Sequence, residues 1–175
     1  MPHRILTLLA AGILGATLPA LDVGQPAPDL TIWRTFNTTT ASSALKISAL
    51  KGKVVMLDFW GINCPPCVAS IPHVEKLYAT YKDKPFTVVG YTDDQWSPNP
   101  QMAAFIKAKK MSYPIVSGPS VFPKTYDHKG IPAVYLIDHT GVLAWKGHPG
   151  QLDEAVITRL VTAATSASAS AATSR

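Results

Sequence analysis

Asp58-Phe59-Trp60-Gly61-Ile62-Asn63-Cys64-Pro65-Pro66-Cys67 is the stretch on which the fold turns, and Val54-Val55-Met56-Leu57 leads into it. Val54 to Trp60 is a continuous apolar run of strand length with one charge, Asp58, so it reads as a buried central strand. Beyond Cys67 the apolar residues Val68, Ile71, Val74, Leu77, Tyr78 and Tyr81 recur at helical spacing, which predicts a helix packed on the sheet. Cys64 falls at the N-cap of that helix, and Pro65 and Pro66 fall in its first turn, where a missing N–H costs little. Pro72 lies inside the helix and is expected to kink it.

Two cysteines separated by two residues at a strand-to-helix junction carry chemistry. The helix dipole and the free N–H groups of a first turn favour an anion, so Cys64 sits where its thiol pKa falls and the reactive thiolate forms. Cys67, one turn on and mostly shielded, suits the role of a resolving thiol that attacks a mixed disulfide. Two blander readings stand beside this one. A structural staple closing so small a loop constrains the unfolded chain little. A metal site needs two further ligands, from among His73, His128, His139 and His148. With only two cysteines in the chain, a multi-disulfide scaffold and a four-cysteine zinc site are excluded.

Outward from this centre, Phe86–Tyr91 reads as a second buried strand, and Ser97 is placed to cap a helix starting at Pro98 or Pro100 and ending near Lys110. Ile115-Val116 is a short strand candidate. Ala133–Asp138 and Val142–Lys146 are strands joined through His139-Thr140-Gly141 as a hairpin, and Leu152–Val161 is the last helix. Upstream, a short strand is expected around Leu30–Trp33, then a polar turn over Asn37–Ser43. Asn37-Thr38-Thr39 also matches a glycosylation triplet, a pattern common by chance. The order of elements predicts an α/β domain with a mixed sheet and helices on both faces.

Neither end of the chain reads as part of that domain. Met1–Arg4 is weakly basic, and Ile5–Leu18 is uncharged and mostly apolar. As a helix those residues reach about 21 Å, short of a roughly 30 Å hydrocarbon core. Residues 1–20 therefore read as a secretory signal, with Ala20 as the cleavage point, or as an uncleaved membrane anchor, because Leu18 is poor at the −3 position. Residues 163–175 are Ala, Ser and Thr ending in Arg175 and are expected to be disordered, leaving 21–162 as the folded domain. The chain has 175 residues, 47% of them hydrophobic and 15% charged, enough for one domain with a real core. Net charge is +5, but the densest basic group is only Lys107, Lys109 and Lys110, so no nucleic-acid partner is expected.

Four segments resemble the thioredoxin superfamily, and within it the exported TlpA/ResA-like thiol–disulfide oxidoreductases: Asp58–Cys67, Val23–Leu30, Leu50–Val55 and Gly130–Gly141. The resemblance covers roughly Val23 to Val161. The resemblance implies a thioredoxin-like fold, a central mixed β-sheet flanked by helices, with an N-terminal extension and an insertion before the cis-Pro strand. It implies that Cys64 attacks, Cys67 resolves, and Pro132 is a cis-proline facing the disulfide. By the same likeness Ile131 pairs its backbone with the substrate chain, Trp60 packs beside the site, and Asp58 is the buried acid that moves a proton to or from Cys67. The sequence departs from the family at Asn63, where Trp is usual, at Gly90, where thioredoxins often carry Lys, and in its Pro-Pro dipeptide.

Those two prolines remove N–H donors from the Cys64 thiolate, which points to a less oxidising couple. The expected activity is therefore reduction of protein disulfides in the periplasm or another extracytoplasmic compartment, with no cofactor beyond the Cys64–Cys67 disulfide. The expected partners are protein thiols and disulfides, and a membrane thiol donor that resupplies electrons. Two alternatives share the fold. A thiol peroxidase of the peroxiredoxin kind has Thr where this chain has Gly61. A copper-handling protein of this fold has a wider cysteine gap, against which the two-residue gap here counts, plus a distant His, for which His128 is the candidate.

Overall fold

The computed structural model describes residues 21–93, 99–119, 126 and 130–173. The sheet grows from its most apolar strand. Val54–Phe59 (β2) is buried at every position. It pairs in parallel with Phe86–Asp93 (β3), equally buried. A parallel pair needs a crossover, and Pro65–Tyr81 (α1) supplies it. A second crossover, Asn99–Ala108 (α2), carries the chain to Ile115–Gly118 (β4), parallel to β3. On the other side of β2, Ala133–Ile137 (β5) runs antiparallel and turns into Leu143–Gly147 (β6). Arg34–Phe36 (β1) closes the far edge against β4, which gives the strand order β1-β4-β3-β2-β5-β6. Glu154–Thr173 (α3) ends the chain.

The two-residue period of β2 divides the core. Val54, Met56 and Trp60 face one layer, shared with Ile71, Val74 and Leu77 of α1, Met102 and Ile106 of α2, and Ile157 and Val161 of α3. Val55, Leu57 and Phe59 face the other, covered by Leu21, Leu30, Leu45 and Ile47. Leu45 and Ile47 belong to two 3-10 turns, Ser42–Leu45 and Ile47–Leu50, so this face is covered by short turns where the first carries long helices. Phe59, Tyr126 and Tyr135 pack ring against ring there, with centroids 5.1–5.6 Å apart. The mixed sheet flanked by helices is the thioredoxin-like arrangement that the resemblance implied.

Three sequence expectations need revision. The first strand lies at Arg34–Phe36 rather than Leu30–Trp33, because Leu30 is drawn into the core and the ladder to β4 starts only at Trp33 N–H to Ser117 O, 2.8 Å. The second helix covers Asn99–Ala108, shorter than expected at its C-terminal end. Residues 163–173, expected to be disordered, continue α3 to Thr173. Alanine has the highest intrinsic helix propensity, and Ala164 is buried. The hydroxyls of Thr165, Ser168, Ser170 and Thr173 donate to carbonyls four residues back at 2.9–3.1 Å, so the polar side chains are satisfied within the helix. Residues 1–20, Ser97, His128 and residues 174–175 lie outside the described residues. Among the described residues, no helix is long and apolar enough to cross a membrane.

Candidate active site

The site forms where β2 ends and α1 begins. Trp60 stays in the ladder through its N–H to Tyr91 O, 3.1 Å, and the chain then turns so that Cys64 N–H meets Gly61 O at 3.2 Å. Cys64 is the N-cap residue in extended conformation, and its sulfur accepts the Cys67 N–H at 3.3 Å. Pro65 and Pro66 between them have no N–H to offer. Cys64 and Cys67 are joined by a disulfide with an S–S distance of 2.09 Å. The two sulfurs are not equivalent: Cys64 is half-buried, whereas Cys67 is 0% exposed among Ile71, Val74 and Trp60. An incoming thiolate reaches Cys64 first.

The loop before β5 faces this disulfide. The Ile131–Pro132 bond is cis. The Ile131 carbonyl oxygen lies 3.7 Å from Cys64 Sγ, and the Ile131 side chain packs toward Gly61. The backbone of Ile131 thus borders the half-exposed sulfur, where an extended substrate strand is able to lie beside it. Trp60 is 1% exposed and stacks on Phe105 of α2, centroids 5.8 Å apart, so its ring lies beneath the site.

Asp58 sits deeper in the same layer. It is 2% exposed, and its Oδ1 has no hydrogen-bond partner among the described residues. Burial opposes the charged form and pushes its pKa from 3.8 up to about 7. Across the sheet its Cα pairs with Gly90 on β3 and Val134 on β5. Position 90 has no room for a longer residue: a Cβ there would sit 2.9 Å from Trp60 Nε1 and 3.0 Å from a ring carbon of Tyr113. Tyr113 is fully buried and comes from the segment between α2 and β4. Nothing in the sequence around Tyr113 marks it as a site residue. Gly90, by contrast, was visible as a departure from the family pattern.

The structure brings Cys64, Cys67, Trp60, Asp58, Ile131 and Pro132 to one end of the sheet. Of the histidines considered as metal ligands, His73, His139 and His148 lie among the described residues, and none belongs to a metal-holding group there. His148 Nδ1 instead accepts the Gly150 N–H at 3.0 Å and caps a 3-10 turn. Among the described residues no group of three His, Cys, Asp or Glu side chains is placed to hold a metal ion.

Comparison with known proteins places this geometry. The profile of the Redoxin family matches residues 22–159. Thiol-disulfide oxidoreductase ResA of Halalkalibacterium halodurans is 32% identical over 116 residues, 65% of this chain and 64% of that one. The ResA of Bacillus cereus is 27% identical over 147 residues, 78% of this chain and 80% of that one. Among solved structures, the thioredoxin domain of a thiol-disulfide oxidoreductase from Bacteroides vulgatus superposes with a TM-score of 0.68 at 25% identity, covering 81% of this chain and 99% of that one.

Proposed function

The chain belongs to the Redoxin family and is a thiol–disulfide oxidoreductase of the thioredoxin superfamily, and from that premise we propose that it is an exported reductase of protein disulfides working through Cys64 and Cys67. The observation that carries the reading is the inequality of the two sulfurs, one half-exposed at a helix N-terminus beside the Ile131 carbonyl and the other buried. In the reduced chain the Cys64 thiolate attacks a substrate disulfide, forms a mixed disulfide and expels one substrate thiolate. The Cys67 thiolate then attacks Cys64 Sγ, releases the second substrate thiolate and closes the Cys64–Cys67 bond. The substrate gains two electrons and the chain loses two. A membrane thiol donor restores the dithiol.

Within this cycle Asp58 accepts the proton of Cys67 as that thiol becomes a nucleophile, a task suited to a carboxyl near neutrality. Ile131 and Pro132 supply the edge along which the substrate backbone lies, and Trp60 supports it from below. No cofactor beyond the cysteine pair enters the cycle. The leader-like sequence of residues 1–20 supports export to the periplasm or a comparable compartment, with the chain released or held by that segment.

The direction of electron flow is supported by the cap. Cys67 N–H lies within hydrogen-bonding distance of Cys64 Sγ, and two prolines, which have no N–H, fill the positions between. A thiolate with few donors is less stabilised, and the couple is correspondingly less oxidising. A glutathione redox titration of the chain, with Cys64→Ser as control, tests this. A reversible couple between about −200 and −300 mV supports the reductase, and a value near about −120 mV refutes it.

A further inference from the structure

Three buried polar atoms near the disulfide have no partner among the described residues: Asp58 Oδ1, Trp60 Nε1 and Tyr113 Oη. Gly90 links the three residues. Asp58 and Trp60 are two residues apart at the end of β2 and share a face. Gly90 is the cross-strand neighbour of Asp58, and the space above its Cα is bounded by Trp60 Nε1 and the Tyr113 ring. Each orphan costs about 1–3 kcal/mol if left unmade, so three together ask for an explanation. Their chemistry is complementary. The indole N–H donates only, the phenol donates, and an ionised carboxylate accepts. When Asp58 is protonated the two donors have little to bind. When it ionises, both gain an acceptor, directly or through one enclosed water.

Tyr113 is held there with care. Glu75 of α1 accepts the Ser112 N–H at 2.9 Å and the Ser112 hydroxyl. The Asn37 amide donates to Met111 O at 2.7 Å and to Tyr113 O at 3.3 Å, from a residue with φ of 56°. Tyr78 of α1 packs edge-on against the ring, centroids 6.1 Å apart. The phenol is thus pinned from three directions with its hydroxyl turned inward. Burial, then the Asp58 carboxylate, then Glu75 raise its pKa, so it stays a neutral donor throughout the working range.

We propose that Tyr113 is a positioning residue for the thiol–disulfide reaction, which with the Trp60 indole stabilises the ionised form of Asp58 and so sets the pH at which Asp58 takes the proton of Cys67. The inference rests on the proton-transfer role of Asp58 given above. The titratable groups facing the pocket are Asp58 from β2, Cys67 and Tyr78 from α1, and Tyr113 ahead of β4; Glu75 of α1 acts on Tyr113. Gly90 of β3, Val134 of β5, Met102, Phe105 and Ile106 of α2 and Ile157 of α3 do not titrate.

The test follows the Asp58 carboxyl by carbon NMR of the oxidised full chain, in which Cys67 does not titrate and Asp58→Asn identifies the signal. In Tyr113→Phe the Asp58 midpoint rises by about one pH unit, because a donor to the charged form is gone. Incorporation of 3-fluorotyrosine at position 113, a stronger donor of the same shape, moves the midpoint down and keeps the test decisive if the Phe variant folds poorly. A midpoint unmoved by both changes overturns the proposal. The Asp58 reading has its own readout, the pH profile of mixed-disulfide resolution by Cys67. If Asp58→Asn leaves that profile unchanged while the NMR midpoint still responds to position 113, the proton-transfer role falls and the coupling of Tyr113 to Asp58 stands.

Discussion

Replacing Asp58 with Asn will change how the stability of the oxidised chain depends on pH. The carboxyl has a pKa of 3.8 when free and about 7 in its buried place on β2. Between those values the unfolded chain holds it ionised and the folded chain holds it protonated, so unfolding releases a proton. Stability from this group is full below the unfolded value, falls as pH rises through the window, and is lost above about 7. One pKa unit corresponds to about 1.4 kcal/mol, so a shift of roughly three units is worth about 4 kcal/mol, a large part of the roughly 5–15 kcal/mol that holds a domain together. The Asn side chain keeps the shape and does not titrate. Urea denaturation with the disulfide intact, run for both proteins between about pH 4 and about pH 8, gives the difference directly. Ionisations common to the two proteins cancel in it. The Asn variant gains on the wild type steadily as pH rises, by up to about 4 kcal/mol over the range. A difference that stays flat with pH refutes the argument that Asp58 is buried in its protonated form.

Gly90→Ala forces a methyl to within 3.0 Å of the Trp60 indole and the Tyr113 ring, and overpacking of this kind costs about 1–3 kcal/mol, read as a lower urea midpoint with an unchanged slope. Cys67→Ser, with the buried resolving sulfur removed, accumulates mixed disulfides between Cys64 and its substrates, visible on non-reducing gels, whereas Cys64→Ser yields none and turns over at least about a hundredfold more slowly. Truncation after Thr165 removes only exposed turns of α3, leaves buried Ala164 in place, and changes unfolding free energy by less than about 1 kcal/mol in the same urea assay.

The fold was legible where hydrophobic pattern and chain direction agree. Val54–Phe59 lies within the apolar run read as the central strand, and Phe86–Asp93 extends the expected Phe86–Tyr91 by two residues. Their burial on both faces leaves a signal that needs no knowledge of neighbours. Cys64 and Cys67 were legible because the chemistry is local: a strand end, a cap, one helical turn. Tyr113 was not, because it reaches Asp58 across 55 residues of sequence and its role depends on Glu75, Asn37 and Gly90 standing where the fold puts them. Asn37 makes the same point in reverse. Its triplet suggested a sugar acceptor, yet its amide is spent on the backbone at Met111 and Tyr113. Residues 163–173 were misread because composition weighs the lack of large apolar groups and misses hydroxyls that satisfy themselves along a helix.

The burial of Cys67 behind Cys64 has a consequence for traffic. Every electron pair that enters or leaves passes through the one half-exposed sulfur, so an outside thiol and an outside disulfide use the same berth. The two visits are sequential by construction. A thiol meets the chain only in its disulfide form and a disulfide meets it only in its dithiol form, so the sulfur changes its class of visitor each time its redox state changes.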